Sequence, residues 1–531
     1  MVIQGKNYIG YALSAESDRT FQSYVPEKDV FLPEKFYTAT EEEVAQTMRL
    51  AENAFEKYAR IPASRRADFL IAITEEMLAI GDELLERANR ETGLPAARLQ
   101  GERARTINQL TQFAELLREG SWVEASIDTA LPFREPVPKP DIRKMLVPIG
   151  PVVVFGSSNF PFAYSVAGVD VAPALAAGNP VIVKAHPAHP GVSDLTAQAI
   201  VAAAKRTGMP DGVFSMLYDE GFEVGTALVK HPVTAAVGFT GSFKGGMALH
   251  KLAQERENPI PVFAEMGSVN PIVILPKYLK DHTEDLGKTI AGSVSLGAGQ
   301  FCTNPGLVFI TRSEGIDDFK ESYKKGIAGT ASATMLTAGI CKNFYRLRDE
   351  ALGQPNVVKL VVSENKNEGR NEAQASIAEV SGADFIANPK LHEEVFGPFS
   401  LLVICENADE LLNAVSHLKG QLTATLMADE AEAASYPAVL RQLAKISGRF
   451  IMNGVPTGVE VCPSMHHGGP FPATVDSKFT SVGRHSILRF VRPQSFQNWP
   501  DSLLPEELKN SNPLKISRLV NNILTNDTLD Q

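Results

Sequence analysis

Between residues 152 and 239 the chain alternates short apolar runs with helical stretches, and this alternation restricts the fold more than any other feature. Val152-Val153-Val154-Phe155 is an unbroken apolar run of strand length. Such runs suit strands buried on both faces of a parallel sheet. Further strands are predicted at 180–184, 213–217 and 235–239, with helices over 163–177, 192–207 and 224–230 between them. The βαβαβαβ order points to a doubly wound α/β sheet, which binds ligands at the carboxyl ends of its strands. Beyond about residue 262 the alternation restarts, with strands predicted at 270–275, 307–311, 401–405, 423–427 and 449–452. A second α/β unit follows from that.

The flanks read differently. Thr40 and Glu43 form a capping box that opens a helix over 40–60, with Val44, Met48, Ala51 and Phe55 at helical spacing. Two more helices are expected at about 64–89 and 97–117, so the first 120 residues read as helix-rich packing. Pro132, Pro136, Pro138 and Pro140 mark a linker or an extended edge segment. Residues 364–372 read as a polar surface loop, 487–491 as an edge strand, and the last thirty or so residues as a polar helical tail.

A length of 531 residues is enough for two to four domains with large cores. The net charge of −11, with no long Lys/Arg cluster, argues against a nucleic-acid partner. No apolar stretch approaches the roughly 20 residues needed to span a bilayer, so no membrane partner is expected. Residues 1–10 lack a basic region followed by a long apolar run, and no signal peptide is expected there. Four cysteines without a C-x-x-C pair do not make a disulfide framework, which suits a reducing, cytoplasmic setting.

Six short segments carry the candidate chemistry. Cys302 sits in Gly299-Gln300-Phe301-Cys302-Thr303-Asn304-Pro305, ahead of a buried strand. A thiol on such a Gly-rich turn is either a nucleophile or a small buried hydrophobe. Asn159, just past the strand at 152–155, could donate to an oxyanion or merely cap a turn. Lys184 ends a strand and points to the ligand crevice, unless it snorkels to the surface. Gly241-Ser242-Phe243-Lys244-Gly245-Gly246 opens a helix whose N–H groups could face a pyrophosphate, although it is not G-x-G-x-x-G. Glu265 lies among apolar and small residues, and a desolvated carboxylate suits a general base. Glu394 could grip a ribose diol and Phe396 could pack beside a nicotinamide, or they could be a solvated acid and a core ring.

Taken together and in this order, these segments resemble the NAD(P)-dependent aldehyde dehydrogenases over about residues 30–495. The resemblance implies the fold: two doubly wound α/β domains with a small β oligomerisation arm. It implies a cofactor-binding domain from 1–131 and 151–261, a catalytic domain over 262–484, an arm from 132–150 and 485–498, and a tail over 499–531. It also implies roles. Cys302 matches the nucleophile, Asn159 the oxyanion amide and Glu265 the base for thioester hydrolysis. Lys184 and Glu394 match residues that hold the cofactor's riboses, Phe396 the aromatic beside the nicotinamide, and Gly241, Ser242 and Gly246 the turn at the pyrophosphate. Homodimers or homotetramers are the family's habit.

Departures from the common family pattern are informative. Lys184-Ala185-His186-Pro187 lacks the acid that in NAD-selective members would repel a 2′-phosphate, so NADP acceptance, and even preference over NAD, is expected. The segment His466-His467-Gly468-Gly469-Pro470-Phe471 and the Ser157-Ser158-Asn159 loop resemble a divergent branch that includes 2-oxoglutarate semialdehyde dehydrogenases and an NADP-dependent fatty aldehyde dehydrogenase. The former is the first expectation for the substrate. A broad-range or fatty aldehyde dehydrogenase, a coenzyme A-acylating member and a silent member are the alternatives. Arg103, Arg105 and Gln109 could line a tunnel for a substrate carboxylate, with Arg484 another candidate. No metal is expected: Cys462, His466 and His467 have no second cluster of ligand spacing beside them.

Overall fold

The computed structural model describes residues 2–364 and 369–529. Its first sheet has the spatial order Val262–Glu265, Ala236–Thr240, Val152–Phe155, Val181–Lys184, Phe214–Leu217, Asn7–Ile9 and Ala12–Ser14. The first five strands run parallel. Their side chains divide by alternation between two cores. Val152, Val154, Val181 and Val183 join one cluster with Leu70, Ile73 and Leu195, while Val153, Ile182 and Leu217 join another with Val44, Met48 and Leu228. Helices thus cover both faces, which is why the runs are apolar without interruption.

The second sheet runs Val358–Val362, Ser376–Ser381, Phe399–Cys405, Leu307–Thr311, Ile272–Ile274, Gln421–Met427 and Ser447–Met452. Only its first pair is antiparallel. A third sheet of five strands takes Val491–Gln497, Ile142–Pro148, Ser126–Asp128, Arg518–Val520 and Ile523–Thr525. Pro493 is tolerated because Val491–Gln497 is an edge strand, paired on one side only. No helix among the described residues is long and apolar enough to cross a membrane.

Five expectations need correction. Strands Asn7–Ile9, Ala12–Ser14, Thr20–Val25 and Val30–Tyr37 precede the first helix, where helices alone were read. The helix expected over 64–89 is two, Ala63–Ala79 and Asp82–Thr92, broken at Gly81 with φ +69° and ψ −138°. Over 163–177 only Val171–Ala177 is helical. Just ahead of it, the N–H groups of Phe162 and Ala163 donate to the buried Glu102 carboxylate at 2.8 and 3.0 Å, which holds that stretch as a turn. The tail is not helical apart from two short 3-10 turns. Its strands Arg518–Val520 and Ile523–Thr525 extend the third sheet, and buried Arg518 donates to the carbonyls of Lys509 and Asp527. The expected edge strand at 487–491 begins only at Val491, after a 3-10 turn. Of the polar loop read at 364–372, residues 365–368 lie outside the described residues.

The third sheet is fastened to the first by one buried ion pair. Arg489 donates to the Asp170 carboxylate and to the carbonyl of Val169, with both charged residues almost fully enclosed. Burial raises the Asp170 pKa, and Arg489 opposes that rise. Removing one partner of such a pair costs about 3–5 kcal/mol. Arg489→Met is therefore expected to lower the denaturation midpoint more than the double variant Asp170→Asn/Arg489→Met does. Equal losses in a thermal melt would show that the pair contributes no coupling.

Candidate active site

The carboxyl ends of the first sheet's strands face the amino ends of the second sheet's strands. Asn159 lies four residues past the strand Val152–Phe155, Lys184 ends Val181–Lys184, and Glu265 ends Val262–Glu265 in register with Thr240. From the other side, Cys302 precedes the strand Leu307–Thr311, and Glu394 and Phe396 precede Phe399–Cys405. These six residues therefore belong to segments where the strand ends of the two sheets meet.

The Cys302 loop is held from several directions. Helix Thr283–Ser295 ends in a tight turn where Gly297, Ala298 and Gly299 all have φ between +55° and +64°. A Cβ on Gly299 would lie 2.3 Å from the Gly397 carbonyl, so this position has no room for a side chain. Ala298 is a non-glycine residue held left-handed, a strain that persists only where the surroundings enforce it. The Asn270 amide donates to the carbonyls of Cys302 and Asn304 at 2.9 Å each. Gln300 accepts from the Leu336 N–H at 3.0 Å. The Asn159 amide donates to the Gln300 carbonyl at 3.2 Å, leaving its second N–H for another acceptor.

Sequence reasoning set His467 aside as part of a weak metal grouping. The structure places it beside the thiol. Cys302 Sγ lies 3.6 Å from His467 Nε2, and His467 Nδ1 lies 2.7 Å from Glu265 Oε2. Ser481 Oγ donates to the same carboxylate oxygen at 2.5 Å. One oxygen, Glu265 Oε1, is buried with no hydrogen-bond partner among the described residues. Burial opposes a charge on His467, but Glu265 and the Cys302 sulfur outweigh it and raise the imidazole to about 10. Glu265 is thus not the isolated carboxylate its apolar neighbours suggested. The ligand atoms of Glu265, Cys302 and His467 all lie within 4.8 Å of one another. Cys462 and His466 take no part in that cluster. The doublet His466-His467 was the one signal, and nothing local tells which of two adjacent histidines turns inward.

On the cofactor side, Ser242 caps helix Phe243–Gln254, its hydroxyl accepting from the Gly245 N–H. The first N–H groups of a helix lack intrahelical acceptors and favour an anion. A Cβ on Gly246 would meet Met266 Sδ at 2.6 Å, so glycine lets this helix pack onto the strand Val262–Glu265. The Lys184 ammonium is buried, donates to the Asp219 carbonyl at 2.5 Å, and is lowered to about 8 by burial. Burial likewise pushes the Glu394 carboxyl up to about 7. The carboxyl lies against Gly267, where a Cβ would come within 2.1 Å of Glu394 Oε2. Glu394 lines one pocket with Phe396, Gly299 and Asn304 and another with Phe243, Gly267 and Phe471. A buried cation, an anion-favouring helix start and a carboxylate against Gly267 fit a dinucleotide.

The arrangement agrees with what comparison shows. Residues 13–470 match the model of the aldehyde dehydrogenase family. The chain is 47% identical over 522 residues to alpha-ketoglutaric semialdehyde dehydrogenase 2 of Azospirillum brasilense, covering 98% of this chain and 99% of that one. It is 45% identical over 491 residues to alpha-ketoglutaric semialdehyde dehydrogenase of Acinetobacter baylyi, covering 92% and 93%. Among solved structures, lactaldehyde dehydrogenase from Escherichia coli shares the fold, with a TM-score of 0.78 at 19% identity over 93% of this chain and 98% of that one. The chain belongs to the aldehyde dehydrogenase family and is an NAD(P)-dependent oxidoreductase.

Proposed function

We propose that the protein oxidises 2-oxoglutarate semialdehyde to 2-oxoglutarate with NAD(P)+. The near-full-length identity to two alpha-ketoglutaric semialdehyde dehydrogenases carries the choice of substrate. The buried line from Cys302 through His467 to Glu265 supports the chemistry. Cys302 attacks the aldehyde carbon as a thiolate and forms a hemithioacetal. An imidazolium on His467 favours that thiolate. The free N–H of the Asn159 amide and the Cys302 backbone N–H stabilise the oxyanion, each such donor being worth about 10²–10³ in turnover. When bound, the nicotinamide supplies the hydride acceptor. Phe396 orients its ring, Lys184 and Glu394 hold its riboses, and Gly241, Ser242 and Gly246 face the pyrophosphate. Glu265 Oε1, the oxygen without a partner, takes a proton from the water that hydrolyses the thioester. Hydrolysis, rather than transfer to coenzyme A, follows from that base.

NADP acceptance has support at Lys184. Three residues on stands Pro187 rather than an acid. Nearby Asp219 is occupied, its two oxygens accepting from the N–H groups of Gly221 and Val224. The sheet ending at Val491–Gln497 is the assembly surface of a dimer or tetramer, and four free thiols suit the cytoplasm.

Three measurements test this reading. Cys302→Ala is expected to abolish NAD(P)H production from 2-oxoglutarate semialdehyde, and retained production would break the mechanism. His467→Leu is expected to slow iodoacetamide alkylation of Cys302 at pH 7 several-fold, read by mass spectrometry of the Cys302 peptide. An unchanged rate removes the imidazolium from the activation of the thiol. Steady-state kinetics should show NADP used at least as well as NAD. An NAD efficiency about tenfold higher, or roughly 1.4 kcal/mol, would contradict the cofactor assignment.

A further inference from the structure

Helix Ala96–Glu119 turns a row of polar residues toward the Asn159 loop: Arg98, Glu102, Arg105 and Gln109, at spacings that keep them on one face. The row has unspent donors. Arg98 is held on the catalytic loop: its Nη2 donates to the Asn159 carbonyl at 2.7 Å and its guanidinium lies 5.1 and 4.5 Å from the rings of Phe160 and Phe301, while its Nε and Nη1 have no partner among the described residues. The Glu102 carboxylate caps the turn at Phe162 and Ala163. Arg105 is different. Its guanidinium lies 5.9 Å from the Phe160 ring and 5.5 Å from the Tyr164 ring, and among the described residues its polar contact is a long 3.5 Å approach to the Tyr164 hydroxyl. Its Nε has no hydrogen-bond partner among the described residues. Gln109 is 97% buried, and its Nε2 likewise has no partner among them.

Arg449 and Arg518 also keep a buried Nε without a partner among the described residues, but each donates to two carbonyls. Arg87 is met by Glu91 and Glu34, Arg489 by Asp170, and Arg66 by the carbonyls of Ala176 and Ile61. None of the ion pairs among the described residues includes Arg105. The place is close to the chemistry, because the Tyr164 ring is 6.3 Å from the His467 ring. Arg103, two residues from Arg105 and so on another face, is already spent on the Gly81 carbonyl at 2.7 Å. Arg484 is spent on Ser121 and Glu119.

We propose that Arg105, assisted by the Gln109 amide, is the anchor for the carboxylate end of the aldehyde substrate. The inference rests on the proposed substrate reading and gives it a residue. A planar guanidinium held among aromatic rings offers a carboxylate a forked pair of donors that an uncharged aldehyde cannot use. The substrate's charge then completes the unspent row, and its aldehyde end is left toward Cys302.

The test compares kcat/KM for 2-oxoglutarate semialdehyde, succinic semialdehyde and pentanal in the wild type, Arg105→Met and Arg105→Lys. Arg105→Met is expected to cut the preference for a carboxylated aldehyde over pentanal at least tenfold, mainly through KM, and Arg105→Lys to restore part of it. A preference ratio unchanged within twofold, or an equal fall on all three aldehydes, overturns the anchor, the second pattern marking a structural role. A wild type that prefers pentanal overturns both the anchor and the substrate reading. A wild type that prefers succinic semialdehyde, with the Arg105→Met loss intact, keeps the anchor and corrects only the substrate.

Discussion

A carboxylate enclosed between two sheets needs partners, and much of the site's construction follows from meeting that need at Glu265. The chain meets it with a distant segment. Residues near 473–475 run alongside the strand Val262–Glu265, with the Met266 N–H donating to the Ala473 carbonyl at 2.7 Å and the Val475 N–H to the Ala264 carbonyl at 3.1 Å. That docking brings His467 on one flank and Ser481 on the other to the same carboxylate oxygen. A buried carboxyl group is costly to leave without any partner. The pairing therefore fixes where the segment lies, and through His467 it sets the environment of the Cys302 sulfur.

The two sheets divide the labour. The first presents the carboxyl ends of its strands, where helix starts and strand-end side chains face a ligand. The second presents the amino ends, so its contribution comes on the loops that enter its strands. The nucleophile loop is accordingly clamped by side chains rather than carried on a regular element. Asn270, Asn159 and Gln300 do that clamping, each spending amide groups on backbone that no ladder reaches. Preorganisation of this kind avoids reorganisation cost during reaction.

Sequence reading succeeded where one local pattern decides the outcome. The strand at 307–311 is an apolar run buried at all five positions, and its observed bounds are the predicted ones. Lys184 was placed at a strand end by the apolar run before it, whereas Glu265 was read as a turn residue and instead ends the strand Val262–Glu265. The reading failed where tertiary contact decides. The first strand, Asn7–Ile9, is three residues long and is held by Asn7, whose side chain donates to the Tyr37 carbonyl and accepts from the Tyr218 N–H. No periodicity reveals a pairing across more than two hundred residues. His467 has the same origin: its partner Glu265 is remote in sequence, about two hundred residues away. Arg105 was one of several arginines considered, and only packing shows which are already spent.

The strands Arg518–Val520 and Ile523–Thr525 have a practical meaning for anyone handling the protein. They cover an edge of Ser126–Asp128 that would otherwise present bare backbone donors and acceptors. A shortened version lacking residues 518–525 would uncover that edge and leave the site's residues untouched. Poor solubility of such a version would then report on lost edge protection rather than on a damaged active centre, and purification handles near this end belong beyond the paired strands.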